Sequence, residues 1–431
     1  MKLHRNLVLG IAEILQDIFV NGKYADESIE KKFKEKEKWG ARDRGFVAEN
    51  VYEIVRWWRK ICFLIDVPYE EYDQDFMKII GVWFAIKNGS LPNWNEWMDI
   101  DISKLYDKLQ IANKIPEVKH SISDWVYDLG SRELKERWDL ELDAMNKPAK
   151  VVIRANTLLT TPDELIELFK LENIEVRKIS CEYPEALELV KRKNIFQTDL
   201  FQNGLFEMQD ANSQLVAKYL DPKPGMRVID ACAGAGGKTL HIAALMKNKG
   251  TIIALDTELK RLNELKRRTK RAKVDIVQIR HIKNSKIIKR LYDSADRLLL
   301  DSPCTGLGTL KRNPDAKWKL RPEYYNRVKE TQAIILRRYS KMLKKGGRMV
   351  YATCSLLPSE NEWQIKNFLA SEEGKSFKLI NENRLLPSDT GYDGFYIAVL
   401  EKVEESAALS EIKESMNIAE NFEKQIEPYL E

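Results

Sequence analysis

The stretch Val228-Ile229-Asp230-Ala231-Cys232-Ala233-Gly234-Ala235-Gly236-Gly237-Lys238-Thr239 decides the fold of this chain. Three residues of strand character run into a turn of small side chains, and helical character resumes over 239–246. A strand, a glycine-rich turn and a helix in that order let the backbone approach a ligand closely, while the helix start offers free N–H groups. A nucleotide-like group is the expected occupant. Gly237-Lys238-Thr239 imitates the end of a phosphate-binding loop. That loop needs a glycine five residues before its last one, and Cys232 stands there instead. The NTPase reading fails on spacing.

Outward from that turn the alternation continues. Thr251–Asp256 reads as the next strand, and its terminal Asp256 holds the place where an acidic residue binds a ribose hydroxyl pair. A helix over 259–271 follows, then strands over 275–279, 297–301 and 348–353. The clearest helix between them, 324–343, ends at Lys345-Gly346-Gly347, and a last strand over 395–400 follows the turn Gly391-Tyr392-Asp393-Gly394. Such alternation predicts an α/β fold with a mainly parallel, doubly wound sheet.

The preceding chain has a different texture. Apolar residues recur at helical spacing (Leu7, Ile11, Leu15, Ile18; Val47, Val51, Ile54, Trp57), and the pattern stays helical and tryptophan-rich to Leu142. After Asn146-Lys147-Pro148, Val151-Val152-Ile153-Arg154 reads as a strand, and Thr161-Pro162-Asp163 opens a helix over 164–171. The boundaries are therefore expected at 1–145 (all-helical), 146–210 (small α+β module), 211–403 (the doubly wound sheet) and 404–431 (an acidic tail).

Composition narrows the function. The net charge is +5, yet residues 256–349 hold 27 Lys/Arg against 10 Asp/Glu, and the tail from Glu401 has 9 Glu against 3 Lys. Concentrated positive charge suits a polyanion such as RNA, with Lys311, Arg312, Lys317 and the stretch 266–273 as candidate phosphate ligands. Five widely spaced cysteines, none in a C-x-x-C pair, and four histidines suggest neither a disulfide framework nor a metal. No apolar run is long enough to span a bilayer, so no membrane partner and a cytoplasmic location are expected.

Two strand ends carry chemistry. The strand 297–300 runs into Asp301-Ser302-Pro303-Cys304, and 349–352 runs into Thr353-Cys354-Ser355. In an open α/β sheet the carboxyl ends of the strands form the ligand crevice, so two cysteines and an aspartate converge beside the cofactor. A buried cysteine taken singly is ordinarily a small hydrophobe. Two of them at successive strand ends make that reading harder to hold.

Four motifs in order carry a resemblance: the Gly-rich stretch; Asp301-Ser302-Pro303-Cys304-Thr305-Gly306-Leu307-Gly308; Arg312-Asn313-Pro314-Asp315-Ala316-Lys317-Trp318; and Tyr351-Ala352-Thr353-Cys354-Ser355 with Asn361 following. Over about Val151 to Leu400 the chain resembles the RNA cytosine-5 methyltransferases of the RsmB/Sun group. The resemblance implies a class I, Rossmann-like methyltransferase domain that uses S-adenosylmethionine as methyl donor. It implies that Cys354 attacks the base, that Cys304 assists product release, and that Asp301 sits in the active site. Cys232, Ala233, Gly234, Ala235, Gly236, Gly237, Lys238, Asp256 and Asp301 would hold the donor. The helical part resembles a NusB-like RNA-binding domain at Ala41-Arg42-Asp43-Arg44-Gly45-Phe46 and Val51-Tyr52-Glu53-Ile54-Val55-Arg56-Trp57. That favours 16S ribosomal RNA over transfer RNA as substrate, and a monomer is expected.

The implied chemistry explains the residue types. Cytosine carbon 5 is a poor nucleophile until a thiolate adds at carbon 6, so a reactive thiol is required. A carboxyl such as Asp301 would hydrogen-bond the cytosine edge. Two positions depart from the family: Gly234-Ala235 replaces Ala-Pro, and the third strand lacks the Asp that meets adenine, leaving His281 or Asn284 for that task. The rival readings are a catalytically silent RNA-binding assembly factor, a DNA cytosine methyltransferase attacking through Cys304, and a non-enzymatic transcription factor built on the N-terminal helices.

Overall fold

Residues 3–72 and 74–403 are described by the computed structural model. The expected acidic tail, 404–431, lies outside the described residues. The chain divides into two compact units. Of the described residues, one unit holds those up to Pro148 together with Thr309–Pro322, the other Ala149–Gly308 together with those from Glu323 to Val403.

The first unit is helical. Arg5–Phe19, Ala41–Arg56, Trp58–Leu64 and Phe76–Asn88 bury Leu7, Ile11, Ile14, Val51, Ile54, Trp58 and Phe84 in one cluster, as their helical periodicity requires. Into this cluster packs Trp318, from a segment more than 160 residues beyond the last of the other helices of the unit. The motif 312–318 lies with the helices of this unit rather than with the sheet strands that flank it in sequence. The cause is visible in its bonds. Trp318 Nε1 donates to the Val55 carbonyl (2.7 Å), and Lys317 Nζ donates to Asn146 Oδ1 (2.6 Å) and to the carbonyls of Ser121, His120 and Arg56. Arg56 in turn donates to the carbonyls of Leu310 and Lys311.

The second unit contains two sheets. The smaller consists of β1 (Val152–Ala155), β2 (Val176–Lys178), β3 (Ala186–Leu189) and β4 (Phe206–Met208), antiparallel in the order β2-β3-β1-β4. Helix Pro162–Leu171 begins with a capping box, in which the Thr161 hydroxyl takes the Glu164 N–H and the Glu164 carboxylate takes the Thr161 N–H. The larger sheet consists of β5 (Arg227–Asp230), β6 (Thr251–Asp256), β7 (Val277–His281), β8 (Ala295–Asp301), β9 (Leu343–Thr353), β10 (Phe377–Leu385) and β11 (Phe395–Lys402). Its order is β10-β11-β9-β8-β5-β6-β7. β5 to β9 are parallel, and β11 and β10 join antiparallel at one edge.

The strand order reverses between β5 and β8, so the crevice of an open α/β sheet falls at the carboxyl ends of those two strands. Buried runs such as Ile252, Ile253, Ala254 and Leu255 are what strands covered on both faces require. No helix among the described residues is long and apolar enough to cross a membrane.

Candidate active site

The Gly-rich turn links β5 to helix Gly237–Leu245. Gly236 has φ +88°, and a Cβ there would lie 2.1 Å from Leu265 Cδ1, so the position accepts only glycine. Gly234 is also left-handed at +52°, and a Cβ on it would meet open space. Its N–H donates to Asp256 Oδ2 (2.8 Å), while Asp256 Oδ1 takes the Glu258 N–H (2.8 Å). The carboxylate at the end of β6 is thereby fixed, with lone pairs on both oxygens still available for a hydroxyl pair.

Two arginines hold the carbonyls of the same turn. Arg268 donates to the Ala235 carbonyl (2.9 Å) and to Glu207 (2.8 Å), and Arg154 donates to the Gly237 carbonyl (2.8 Å) and to Gln209. Arg154 is buried, and burial lowers its pKa to about 10. The small sheet supplies Arg154 and Glu207, so its strands brace the turn from beneath.

Asp230 closes β5 inside the protein. Thr239 Oγ1 donates to its Oδ2 (2.7 Å), whereas Oδ1 has no hydrogen-bond partner among the described residues. Burial pushes its pKa up to about 7. Cys232, in the turn itself, packs against the cluster around Ile229 and Leu298, and burial raises its thiol well above the ordinary value. Its part in the turn is backbone and bulk rather than reactivity.

At the end of β8, Asp301 Oδ2 receives Lys238 Nζ at 2.7 Å. The ammonium also lies 5.1 Å from the centre of the Phe395 ring. Burial disfavours the charge on Lys238, but Asp301, Cys354 and Asp230 outweigh it and hold its pKa above the usual lysine value. Beyond Asp301 and beyond β9 the two cysteines meet: Cys304 Sγ and Cys354 Sγ are 3.3 Å apart. The bond to Cys354 and burial raise the Cys304 thiol, so Cys304 stays protonated.

The chain between them is tightly closed. Gly308 N–H donates to the Cys354 carbonyl (2.8 Å), and a Cβ on Gly308 would lie 2.4 Å from the Gly394 carbonyl oxygen and 2.7 Å from that of Cys354. Asn361 takes the Thr353 hydroxyl (2.5 Å) and donates to the Ser355 carbonyl (3.0 Å).

Of the residues singled out in the sequence, Cys354, Cys304, Asp301 and Lys238 form one group, and Gly234 and Asp256 a second joined to it through the turn. Two of the expected phosphate ligands do not fit that role. Lys317 is no phosphate ligand, since its ammonium is buried among carbonyls, and Lys311 is buried too. In the stretch 266–273, Arg268 and Arg271 are bound to Glu207, and Lys266, Arg267, Lys270 and Lys273 remain exposed. His281 is at the end of β7 with Nε2 on the Thr257 carbonyl (2.8 Å), and Asn284 Oδ1 takes the Lys286 N–H. Sequence reasoning missed Arg154 and Glu360. A charged residue inside an apolar strand, and an acid soon after the apolar Leu356-Leu357-Pro358, were the available signals. Among the described residues no group of three or more His, Cys, Asp or Glu is placed to hold a metal ion.

Residues 217–401 match the family described as 16S rRNA methyltransferase RsmB/F. A probable ribosomal RNA small subunit methyltransferase B from Synechocystis is 30% identical over 437 residues, covering 90% of this chain and 98% of that protein. The chain belongs to the RsmB/F family. A Vibrio vulnificus RsmB/F relative, named ribosomal RNA small subunit methyltransferase B, is 33% identical over 69% of this chain and 70% of its own length. The probable methyltransferase B of Bacillus subtilis is 35% identical, and the match spans 60% of its length.

Among solved structures, that of PH0851 superposes with a TM-score of 0.77 at 26% identity, covering 93% of this chain and all of that one. A methyltransferase homolog from Pyrococcus horikoshii superposes with a TM-score of 0.59 at 30% identity, over 67% of this chain and 97% of its own. As an RsmB/F member the chain is an RNA methyltransferase with a Rossmann-like catalytic fold, and S-adenosylmethionine is its methyl donor. The residues present fit that donor. A carboxylate held at the end of β6 suits a ribose diol, the open left-handed Gly234 leaves room for a ligand, and the start of helix Gly237–Leu245 suits a carboxylate.

Proposed function

We propose that this enzyme methylates carbon 5 of a cytosine in RNA, 16S ribosomal RNA being the expected substrate, with Cys354 as nucleophile. The observation that carries the reading is the 3.3 Å approach of Cys354 and Cys304 at the ends of two adjacent parallel strands, beside the Lys238–Asp301 pair. S-adenosylmethionine, when bound, supplies an electrophilic methyl group.

Every other part of the chemistry falls to the chain. The Cys354 thiolate forms a bond to carbon 6, and the ring's π electrons shift so that carbon 5 becomes nucleophilic. Asp301 accepts a hydrogen bond from the amino edge of the base and so orients it over the thiolate. Lys238, kept as an ammonium, fixes the Asp301 carboxylate and offsets negative charge in the same place. Once carbon 5 carries the methyl, its proton leaves to a base, the electrons return to the ring, and the Cys354 bond breaks. Cys304, a thiol beside that bond, assists the last step.

The base must leave its stack to reach this crevice, which favours a single-stranded or flipped cytosine. We assign the NusB-like helical unit and the exposed Lys266, Arg267, Lys270 and Lys273 to RNA binding, and the RNA substrate implies a cytoplasmic enzyme. The test is transfer of labelled methyl to 30S-derived RNA, with bisulfite mapping of the product. Transfer to a cytosine, lost in Cys354→Ala, supports the proposal. No transfer by the wild type would leave a silent assembly factor. Loss of base attack in Cys304→Ala, with attack kept in Cys354→Ala, would move the nucleophile to Cys304.

A further inference from the structure

One buried carboxylate outside the expected site touches both cysteine turns. Glu360 is fully buried in the short turn Pro358–Glu360, six residues past Cys354. Its Oε1 takes the Thr305 N–H (2.8 Å) and Gln332 Nε2 (3.1 Å). Its Oε2 takes the Thr305 hydroxyl (2.6 Å) and the Ser355 hydroxyl. Thr305 is the neighbour of Cys304 and Ser355 the neighbour of Cys354. We propose that Glu360 is a positioning residue: by accepting bonds from the residue after each cysteine, it sets the distance and orientation of the two sulfurs.

Four donors aimed at two oxygens fill the acceptor sites of the carboxylate, which thereby joins the two turns. The surroundings reinforce the frame. Tyr351 donates its hydroxyl to the Glu360 carbonyl (2.7 Å), and Gln332 also donates to the Pro303 carbonyl (2.8 Å). Thr305 Oγ1 and Ser355 Oγ lie 3.3 Å apart, the same separation as the sulfurs one residue earlier in each turn. Burial raises the Glu360 pKa against the pull of its four hydrogen bonds, and the Glu360 charge helps keep Cys304 a thiol. An error of about 1 Å in such a frame is enough to cost on the order of 10²-fold in rate.

The inference rests on the proposed roles of the cysteines, and one readout is chosen to be independent of RNA. In the full chain, diamide takes two electrons and two protons from the Cys304 and Cys354 thiols and is reduced to its hydrazine as the disulfide closes. Mass spectrometry of the cross-linked peptides follows the rate. The second readout is single-turnover methyl transfer, with S-adenosylmethionine affinity measured by calorimetry.

Glu360→Ala, which severs the bridge, is expected to slow closure by about tenfold or more and transfer by about 10²-fold, with donor affinity within about threefold. Glu360→Gln keeps the span, since its amide can donate where the carboxylate accepted, and is expected to recover both rates to within about tenfold of wild type. Should Glu360→Ala not fold, Thr305→Val with Ser355→Ala removes both hydroxyl arms and replaces it under the same thresholds. Closure and transfer within about twofold of wild type in the severed variants would overturn the inference. So would equal impairment of the Ala and Gln variants, or a fall in donor affinity parallel to both rates. A wild type that closes its disulfide in this Glu360-dependent way yet methylates no cytosine would sink the proposed function and leave the positioning role standing.

Discussion

Lys238 and Asp301 form a salt bridge of 2.7 Å between the start of one helix and the end of β8, where the sheet order reverses. Each residue needs the other: a lysine this enclosed keeps its proton only beside negative charge. Asp301→Asn is expected to lower single-turnover transfer by about 10²-fold or more, because it removes both the acceptor for the base and the partner of Lys238. Lys238→Met should reproduce most of that loss, and the double variant should lose less than the product of the two. A rate for the double variant equal to that product would show that the pair acts as two independent groups.

Cys304→Ala bears on product release. If Cys304 assists the breaking of the Cys354 bond, this variant accumulates a protein–RNA adduct that survives denaturing electrophoresis, while Cys354→Ala forms none. Adduct yields equal to wild type in Cys304→Ala would remove Cys304 from the release step.

Asp230 should make stability depend on pH. Its folded pKa is about 7, above the ordinary 3.8. The folded state therefore binds the proton more tightly than the unfolded one, and the contribution is fully present below about pH 4 and declines as pH rises through 7. Asp230→Asn, which imitates the protonated carboxyl, is expected to flatten this decline and to melt above the wild type at pH 8. Parallel melting curves for the two proteins between pH 5 and 8.5 would contradict the assignment.

Lys317 and Trp318 should matter to the helical unit rather than to RNA affinity. Trp318→Ala removes a buried indole and its bond to Val55, a loss of about 3–5 kcal/mol. Lys317→Met leaves the Asn146 side chain and the Ser121 carbonyl without their donor, at about 1–3 kcal/mol. Hydrogen exchange in peptides spanning 41–64 and 309–322 should rise together in both variants. Weakened RNA binding with unchanged exchange would return Lys317 to the role of a phosphate ligand.

For the exposed face of helix Leu259–Arg271, replacing Lys266 and Lys270 by Glu is expected to weaken RNA binding. The slope of log affinity against log salt should fall by about 0.7 for each phosphate that these lysines no longer neutralise on a single strand. An unchanged slope would assign that face to solvent.

Much of the larger sheet was legible because its signals are local. The helix 259–271 and the strand Thr251–Asp256 stand where their periodicity put them, and Asp256 and Asp301 close their strands. Boundaries slipped where two signals overlapped. Lys345-Gly346-Gly347 was expected to end a helix over 324–343, but that helix stops at Tyr339 and the glycines lie within β9. β10 went unread because Asn381, Glu382 and Asn383 interrupt its apolar pattern at an edge of the sheet. In the site, the cysteines and Asp301 could be named since strand ends converge by rule. Glu360 and Arg154 could not, because only tertiary structure tells which buried charge meets which turn. Lys317 misled for the same reason: a lysine in a basic run looks like surface until its carbonyl partners are known.

The discontinuous assignment of Thr309–Pro322 has a practical consequence. A chimera that swaps the first 148 residues for those of a relative would strand Trp318 against foreign helices. A working exchange of the helical unit between relatives is therefore expected to need residues 309–322 to travel with the first 148.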